Sequence, residues 1–258
     1  MTPGEALTAL RDTSPLVHCI TNYVAMNPAA NVLLAAGSSP AMIHAVEEVA
    51  DFTPLAGALT VNIGTLSPPW AEAMLKAAET AARHQIPWVL DPVAHFATPY
   101  RAGIAQDLLA LRPTILRGNA SEVLALAGEA GAGKGADSGD SVAAAEAAAR
   151  ALAQRSGAVV AVTGPQDFVT DGTRALHVSG GSPLMPQITA LGCSLTALMG
   201  GYAAVCPPFE AATASLTHFS SAAARAEPLA QGPGSFMVHF LDALAAVTPG
   251  DLDAVPVT

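Results

Sequence analysis

Short apolar runs alternate with longer amphipathic ones along most of the chain. Residues 16–20 (LVHCI), 58–64 (ALTVNIG), 86–93 (IPWVLDPV), 113–119 (PTILRGN) and 158–164 (AVVAVTG) are apolar and rich in β-branched side chains. They lack the strict polar alternation of a half-wet sheet, so each predicts a strand covered on both faces. Between them, residues 3–11, 22–37, 44–52, 68–85, 101–112, 120–128 and 140–155 carry apolar positions at helical spacing. Proline opens the 68–85 run, and Gly37 and Gly128 stand where helices stop. Pro28 lies inside the 22–37 run, so that helix either kinks or starts there. Residues 167–180 read as two strands around Asp171-Gly172, a hairpin signal. Residues 192–246 read as mostly helical. The pattern predicts an α/β fold of three layers: a mainly parallel central sheet with helices on both faces, the last third completing one helical layer. No disorder-prone linker divides the chain, so residues 1–258 read as one domain.

Composition narrows the class. The chain has 258 residues, 51% of them hydrophobic and only 12% charged. So few charges imply a large core plus buried subunit contacts, hence an oligomer. The formal net charge is −10 and no cluster of Lys or Arg occurs, which argues against a nucleic-acid partner. An anionic substrate needs a local site of backbone N–H groups and a few chosen cations. Three cysteines make no disulfide framework, and no run of 18 apolar residues suggests a membrane span. With no leader pattern in the opening residues, the expected setting is the cytoplasm.

Ligands of open α/β sheets bind beyond the carboxyl ends of the strands. Polar and glycine residues collect there: Thr21-Asn22, Asn62-Ile63-Gly64, Asp91-Pro92, Arg117-Gly118-Asn119, Thr163-Gly164 and the stretch TALGC, 189–193. This is the layout of a small-molecule enzyme. Asp91, with Asn119 and Glu122 on one face of a helix start, offers oxygen ligands for a hard cation such as Mg²⁺. The same Asn119-x-x-Glu122 spacing is also that of a capping box. Arg117 suits bidentate phosphate binding, or is a plain surface arginine. Gly192 before a helix lets N–H groups converge on an anion, and Cys193 at that helix start is a polarised thiol or a small buried apolar residue. GEAGAGK, residues 128–134, imitates a phosphate-binding loop. It lacks the preceding strand and the following Ser or Thr, so it reads as a surface loop. The seven histidines are scattered, and His18, inside an apolar strand, reads as a hydrogen-bonded core histidine.

Taken in order, PLVHCITNYVAMNPAANVLLAAGSSPAM, NIGTL, PWVLDPV, ILRGNASEVLALAGE, VAVTGPQDFVTDG, TALGCSLTA and GPGSF resemble the hydroxyethylthiazole kinases, members of the ribokinase-like superfamily. The match covers about Pro15 to Leu244. The resemblance implies ATP-dependent phosphorylation of 4-methyl-5-(2-hydroxyethyl)thiazole in thiamine salvage, by a homotrimer with active sites near subunit interfaces. It implies that Met42, Ala190 and Asn22 serve the thiazole alcohol, and that Arg117 and Thr163 contact ATP. It also puts Asp91 and Glu122, with Asn119 beside them, in the Mg²⁺ network, and Leu191 and Gly192 in the anion hole. Cys193 falls where many superfamily kinases carry an aspartate base, although a thiol near its usual pKa is a poor base at neutral pH. Two departures stand out. Thr-Ala-Leu-Gly-Cys, 189–193, replaces the common Thr-Gly-Thr-Gly-Cys, and Ala190 would be strained at positive φ. Ala94-His95-Phe96 replaces Gly-x-Gly, so a bulky pair is expected to reshape that side of the pocket. That departure keeps open a kinase for another hydroxymethyl heterocycle of pyrimidine or pyridoxal type. A non-catalytic vitamin-binding protein on the same scaffold is the alternative of a different class.

Overall fold

A computed structural model describes residues 1–128 and 142–258. Its strands are β1 (Leu16–Ile20), β2 (Ser39–Ala41), β3 (Ala58–Asn62), β4 (Trp88–Asp91), β5 (Ile115–Asn119), β6 (Val159–Thr163), β7 (Gln166–Thr170) and β8 (Ala175–Ser179). They form one sheet in the order β2-β1-β3-β4-β5-β6-β7-β8. Pairing is parallel from β2 to β6, and antiparallel for β6–β7 and β7–β8.

Alternation along the strands sorts side chains into two cores. Val89 and Ile115 pack with α1 (Pro3–Thr13), α8 (Leu191–Ala203), α9 (Pro208–Ala226) and α10 (Pro233–Ala246). Their neighbours Leu90 and Leu116 pack on the other face with α4 (Pro68–His84), α5 (Pro99–Ala110), α6 (Ala120–Ala127) and α7 (Val142–Ser156). Being apolar on both faces is what the uninterrupted apolar runs required. Parallel register then aligns the carboxyl ends. Asn62 pairs with Asp91, and Asn119 with Thr163.

The expected elements form, with three differences. The helix expected over 44–52 shrinks to α3 (Val49–Phe52): a turn closed by the Glu48 N–H on the Ala45 carbonyl precedes it, and His44 stacks on Trp70 of α4 at 4.3 Å between ring centroids. Strand β2 was not anticipated. It has three residues and contains Pro40, which only an edge strand tolerates. Helix α2 (Met26–Ala36) starts after a turn in which the Ala25 N–H donates to Asn22 Oδ1. Pro28 therefore sits in its first turn and causes no kink. At the other edge, Val178 of β8 bridges to Val257, and the His177 N–H donates to the Thr258 carbonyl at 2.8 Å.

Helix α8 reaches the sheet closely because it carries glycine where the strands press hardest. A Cβ on Gly200 would sit 2.4 Å from Thr60 Cγ2 and 3.0 Å from Val17 Cγ1. Both neighbours are β-branched side chains on strands and cannot swing away. Gly200→Ala is expected to cost about 1–3 kcal/mol by overpacking, read as a lower midpoint in thermal or urea unfolding.

Candidate active site

A cavity of about 450 Å³ opens beyond the carboxyl ends of β5 and β6. Arg117, Asn119, Glu122 and Thr163 line one side, and Ala190, Leu191, Gly192 and Cys193 line the other. Asp91 lies buried beneath it and Asn22 beside it, both tied in by hydrogen bonds. Of the expected site residues, Met42 alone lies apart. It packs against Val17, Cys19, Ala29, Leu33 and Ala197 at the β2 edge. A second cavity of about 500 Å³, walled by Leu176, Phe209, Leu252 and Val255, holds none of these residues.

Asp91 organises the floor. Its Oδ2 accepts from Thr196 Oγ1 at 2.7 Å, Asn62 Nδ2 at 2.8 Å and Arg117 Nη1 at 3.4 Å. Its Oδ1 is buried without a hydrogen-bond partner. Burial pushes the carboxyl up to about 6 against the pull of Arg117, and the Glu122 charge adds to the rise. From Asn62 an amide chain runs on: Asn22 Nδ2 donates to Asn62 Oδ1 at 2.8 Å and to Cys193 Sγ at 3.3 Å. Cys193 does not become the activated thiol that a helix start suggested. Burial pushes it up to about 11, and the nearby Asp91 charge adds to this, outweighing Arg117 and the two asparagines.

Arg117 reaches Thr163 Oγ1 at 2.7 Å through Nη2. Burial would lower its pKa, but the charges of Asp91, Glu122, Cys193 and Asp167 together raise it. It is therefore a half-buried cation fixed at the cavity wall, not a surface arginine. Gly192 makes room for it, since a Cβ there would fall 2.7 Å from Arg117 Nη2. The N–H groups of Leu191, Gly192 and Cys193 open α8, where no carbonyl lies one turn back to accept them. Ala190 is its N-cap at φ 64°, the left-handed region. Glycine would occupy that region freely, and alanine pays a strain of about 1–2 kcal/mol.

The capping box is real. Asn119 Oδ1 accepts the Glu122 N–H, and Glu122 Oε2 accepts the Asn119 N–H, both at 2.9 Å. Glu122 Oε1 accepts the Ala94 N–H at 2.9 Å. Asn119 thus places Glu122, and the spacing of three serves cap and site together. The lookalike phosphate loop, 128–134, begins with Gly128, which closes α6 at φ 89°, and the rest of it lies outside the described residues. His18 is held between Thr53 Oγ1 and the Ile43 carbonyl, as its apolar strand predicted.

The Hydroxyethylthiazole kinase family model matches residues 7–250. The hydroxyethylthiazole kinase of Roseobacter denitrificans is 67% identical over 255 residues, 99% of either chain. The chain belongs to the hydroxyethylthiazole kinase family. A solved structure of the hydroxyethylthiazole kinase protein from Pyrococcus horikoshii matches with a TM-score of 0.92 at 38% identity, covering 99% of this chain and 98% of that one. A Bacillus subtilis pyridoxal kinase matches at a TM-score of 0.63 and 17% identity, covering 81% of this chain and 91% of that one, and shares the ribokinase-like fold.

The Ala94-His95-Phe96 departure puts neither ring into this cavity. His95 is buried, its Nε2 3.0 Å from the Glu122 carbonyl oxygen, and Phe96 packs edge-on against it. Neither lines the cavity among the described residues, and from that loop only Val93 does. Ala94 bears the cost instead, at φ 46°. Asn62 stood among the polar strand ends without a role assigned to it, and Thr196, Arg101 and Asp167 were not anticipated. Thr196 and Arg101 lie inside helical runs, and only the fold brings them in. Asp167 lines the cavity, and burial pushes it up to about 6 against the Gly164 N–H and Arg117.

Two predictions follow from this geometry. Ala190→Gly trades left-handed strain for chain entropy and should stabilise the protein by about 0.5–1 kcal/mol, measured by urea unfolding. An aspartate whose folded pKa is raised holds its proton in the folded state while the unfolded chain has released it. Its contribution is present at low pH and is lost as pH climbs from about 4 through about 6. The stability of the wild type minus that of Asp167→Asn should therefore decline across that window and stay level above it. A difference independent of pH would remove the assignment.

Proposed function

We propose that the chain transfers the γ-phosphoryl of ATP to the hydroxyl of 4-methyl-5-(2-hydroxyethyl)thiazole, a thiamine-salvage step. The observation that carries this reading is the meeting of Arg117, Thr163, Glu122 and the open start of α8 in one cavity of a chain from this family. Phosphoryl transfer depends on positioning and on charge stabilisation, and these groups supply both. Arg117 and Thr163 steady the phosphate chain. The N–H groups of Leu191, Gly192 and Cys193, with the helix dipole behind them, face the phosphoryl in transit. Ala190 lines the alcohol end through its backbone.

Asp91, Glu122 and Asp167 set three carboxyl groups around the single Arg117 guanidinium, so ATP without a cation meets repulsion. No group of three His, Cys, Asp or Glu among the described residues forms a metal cage alone. Mg²⁺ needs none, because it uses one or two carboxylates with phosphate oxygens and water. The unpartnered Asp91 Oδ1 and the Glu122 carboxylate fit that donor set. Mg²⁺ held there would neutralise charge on the phosphates. Asn119 keeps Glu122 in place.

Cys193 serves as an orienting thiol. Its raised pKa keeps the proton on sulfur at neutral pH, and Asn22 fixes the sulfur from behind. The alcohol keeps its own proton until the new P–O bond forms and the γ-phosphorus–oxygen bond to ADP breaks; the proton then passes to a phosphate oxygen of the product and on to water, as a loose transition state permits.

The working form in this reading is a homotrimer of chains each folded as one kinase domain, in the cytoplasm. Exposed Tyr23 and Val24 beside Asn22, and Leu34 on α2, offer apolar surface for subunit contacts near the site. Met42 then serves the thiazole from outside the cavity of its own chain. The three free thiols suit a reducing compartment. Among the described residues no helix is long and apolar enough to cross a membrane.

The deciding experiment is a coupled ADP-release assay with Mg·ATP and a panel of heterocyclic alcohols. Turnover should be fastest with the thiazole alcohol, and its absence with every alcohol would overturn the reading. Cys193→Ala should lower kcat by about tenfold or more through lost orientation. It should leave the pH profile between about 7 and 9 without a lost thiol ionisation. Full turnover in that variant would remove Cys193 from the mechanism.

A further inference from the structure

Arg101 spends its guanidinium on the backbone of the site. It stands in the first turn of α5, where Thr98 Oγ1 accepts its N–H at 3.3 Å. Nη1 donates to the Gly64 carbonyl at 2.9 Å, and Nη2 to Ile63 at 2.7 Å, so the arginine is anchored to the loop after β3. Nε donates to the Ala94 carbonyl at 3.1 Å, and Nη2 also donates to the Val93 carbonyl, in the loop after β4.

The Val93 carbonyl and the Ala94 N–H belong to one rigid peptide plane. On its far side that N–H donates to Glu122 Oε1 at 2.9 Å. Arg101 and Glu122 thus hold opposite ends of a single peptide. Ala94 sits at φ 46°, where a side-chain-bearing residue is strained and its peptide tends to rotate away. Rotation would take the N–H from Glu122 and free one carboxylate oxygen to turn. Arg101 opposes this by gripping the peptides on both sides of Ala94.

We propose that Arg101 is the positioning residue that fixes Glu122 through the Val93–Ala94 peptide, and that Mg²⁺-dependent nucleotide binding relies on it. This rests on the reading of Glu122 in the Mg²⁺·ATP site. Lysine keeps the charge but cannot span four carbonyls, because only the planar guanidinium presents its donors in a fixed fork.

The test is calorimetric titration of ADP, with and without Mg²⁺, into the wild type, Arg101→Lys, Glu122→Gln and the double variant, with kinetics alongside. In Arg101→Lys, ADP affinity without Mg²⁺ should change less than about twofold, while the gain from Mg²⁺ shrinks about tenfold. In the same variant kcat should fall about tenfold with the KM of the thiazole alcohol little changed. In the Glu122→Gln background, Arg101→Lys should add nothing further. A variant that keeps the full Mg²⁺ gain, or a double variant whose losses multiply, overturns the proposal. A wild type that turns over no thiazole alcohol and gains nothing from Mg²⁺ sinks the Mg²⁺·ATP reading, and the proposal falls with it. Should Arg101→Lys fail to fold, Thr98→Ala, which loosens the same helix start, should reduce the Mg²⁺ gain about two- to threefold. An unchanged gain there overturns the proposal equally.

Discussion

A carboxylate with no access to water holds the site together. Asp91 ends β4, and its Oδ2 gathers donors from β3, β5 and α8. Leaving such a group unpaired in the interior is costly, so its neighbours are constrained before any ligand arrives. Asn62 must stand beside it, Thr196 must face it from the second turn of α8, and Arg117 must bring its guanidinium to the same oxygen. The start of α8, and with it every N–H at the cavity, is set by that demand.

Burial is the main reason the cysteine is quiet, and the same carboxylate adds to it. A helix start favours a thiolate, but here the thiol shares a buried corner with an acid. Burial and the acid together outweigh Arg117 and the two asparagines. The structure therefore supports a mechanism of placement and charge, with the sulfur as a steering group. Across the cavity Glu122 follows the same rule: its oxygens are fixed by two backbone N–H groups, one from its own cap and one from a strained alanine.

Much of this was legible in the residues. Apolar runs without polar alternation predicted a doubly covered sheet, and strand ends such as Asp91 and Arg117-Gly118-Asn119 marked the cavity. A positive φ at Ala190 was foreseeable from the glycine that the resembled family carries at that position. Other parts were hidden for physical reasons. A three-residue edge strand containing proline has no periodicity to detect. Thr196 and Arg101 look like ordinary helical residues until packing turns them toward strand ends. The His95–Phe96 pair looked like an intrusion on the pocket, but the ring of His95 turns inward to the Glu122 carbonyl. Sign and size of the Cys193 shift depend on how deeply the thiol is buried, and no linear pattern records that.

The Gly192–Arg117 contact bears on how such a chain can change over generations. The guanidinium fills the space in which a side chain at 192 would begin. A lineage that replaced the arginine with something shorter would release the glycine from its constraint, and one that first gained a methyl group at 192 would lose the arginine's seat. The two positions, 75 residues apart in the chain by their numbers (192 − 117), constrain each other through that one contact.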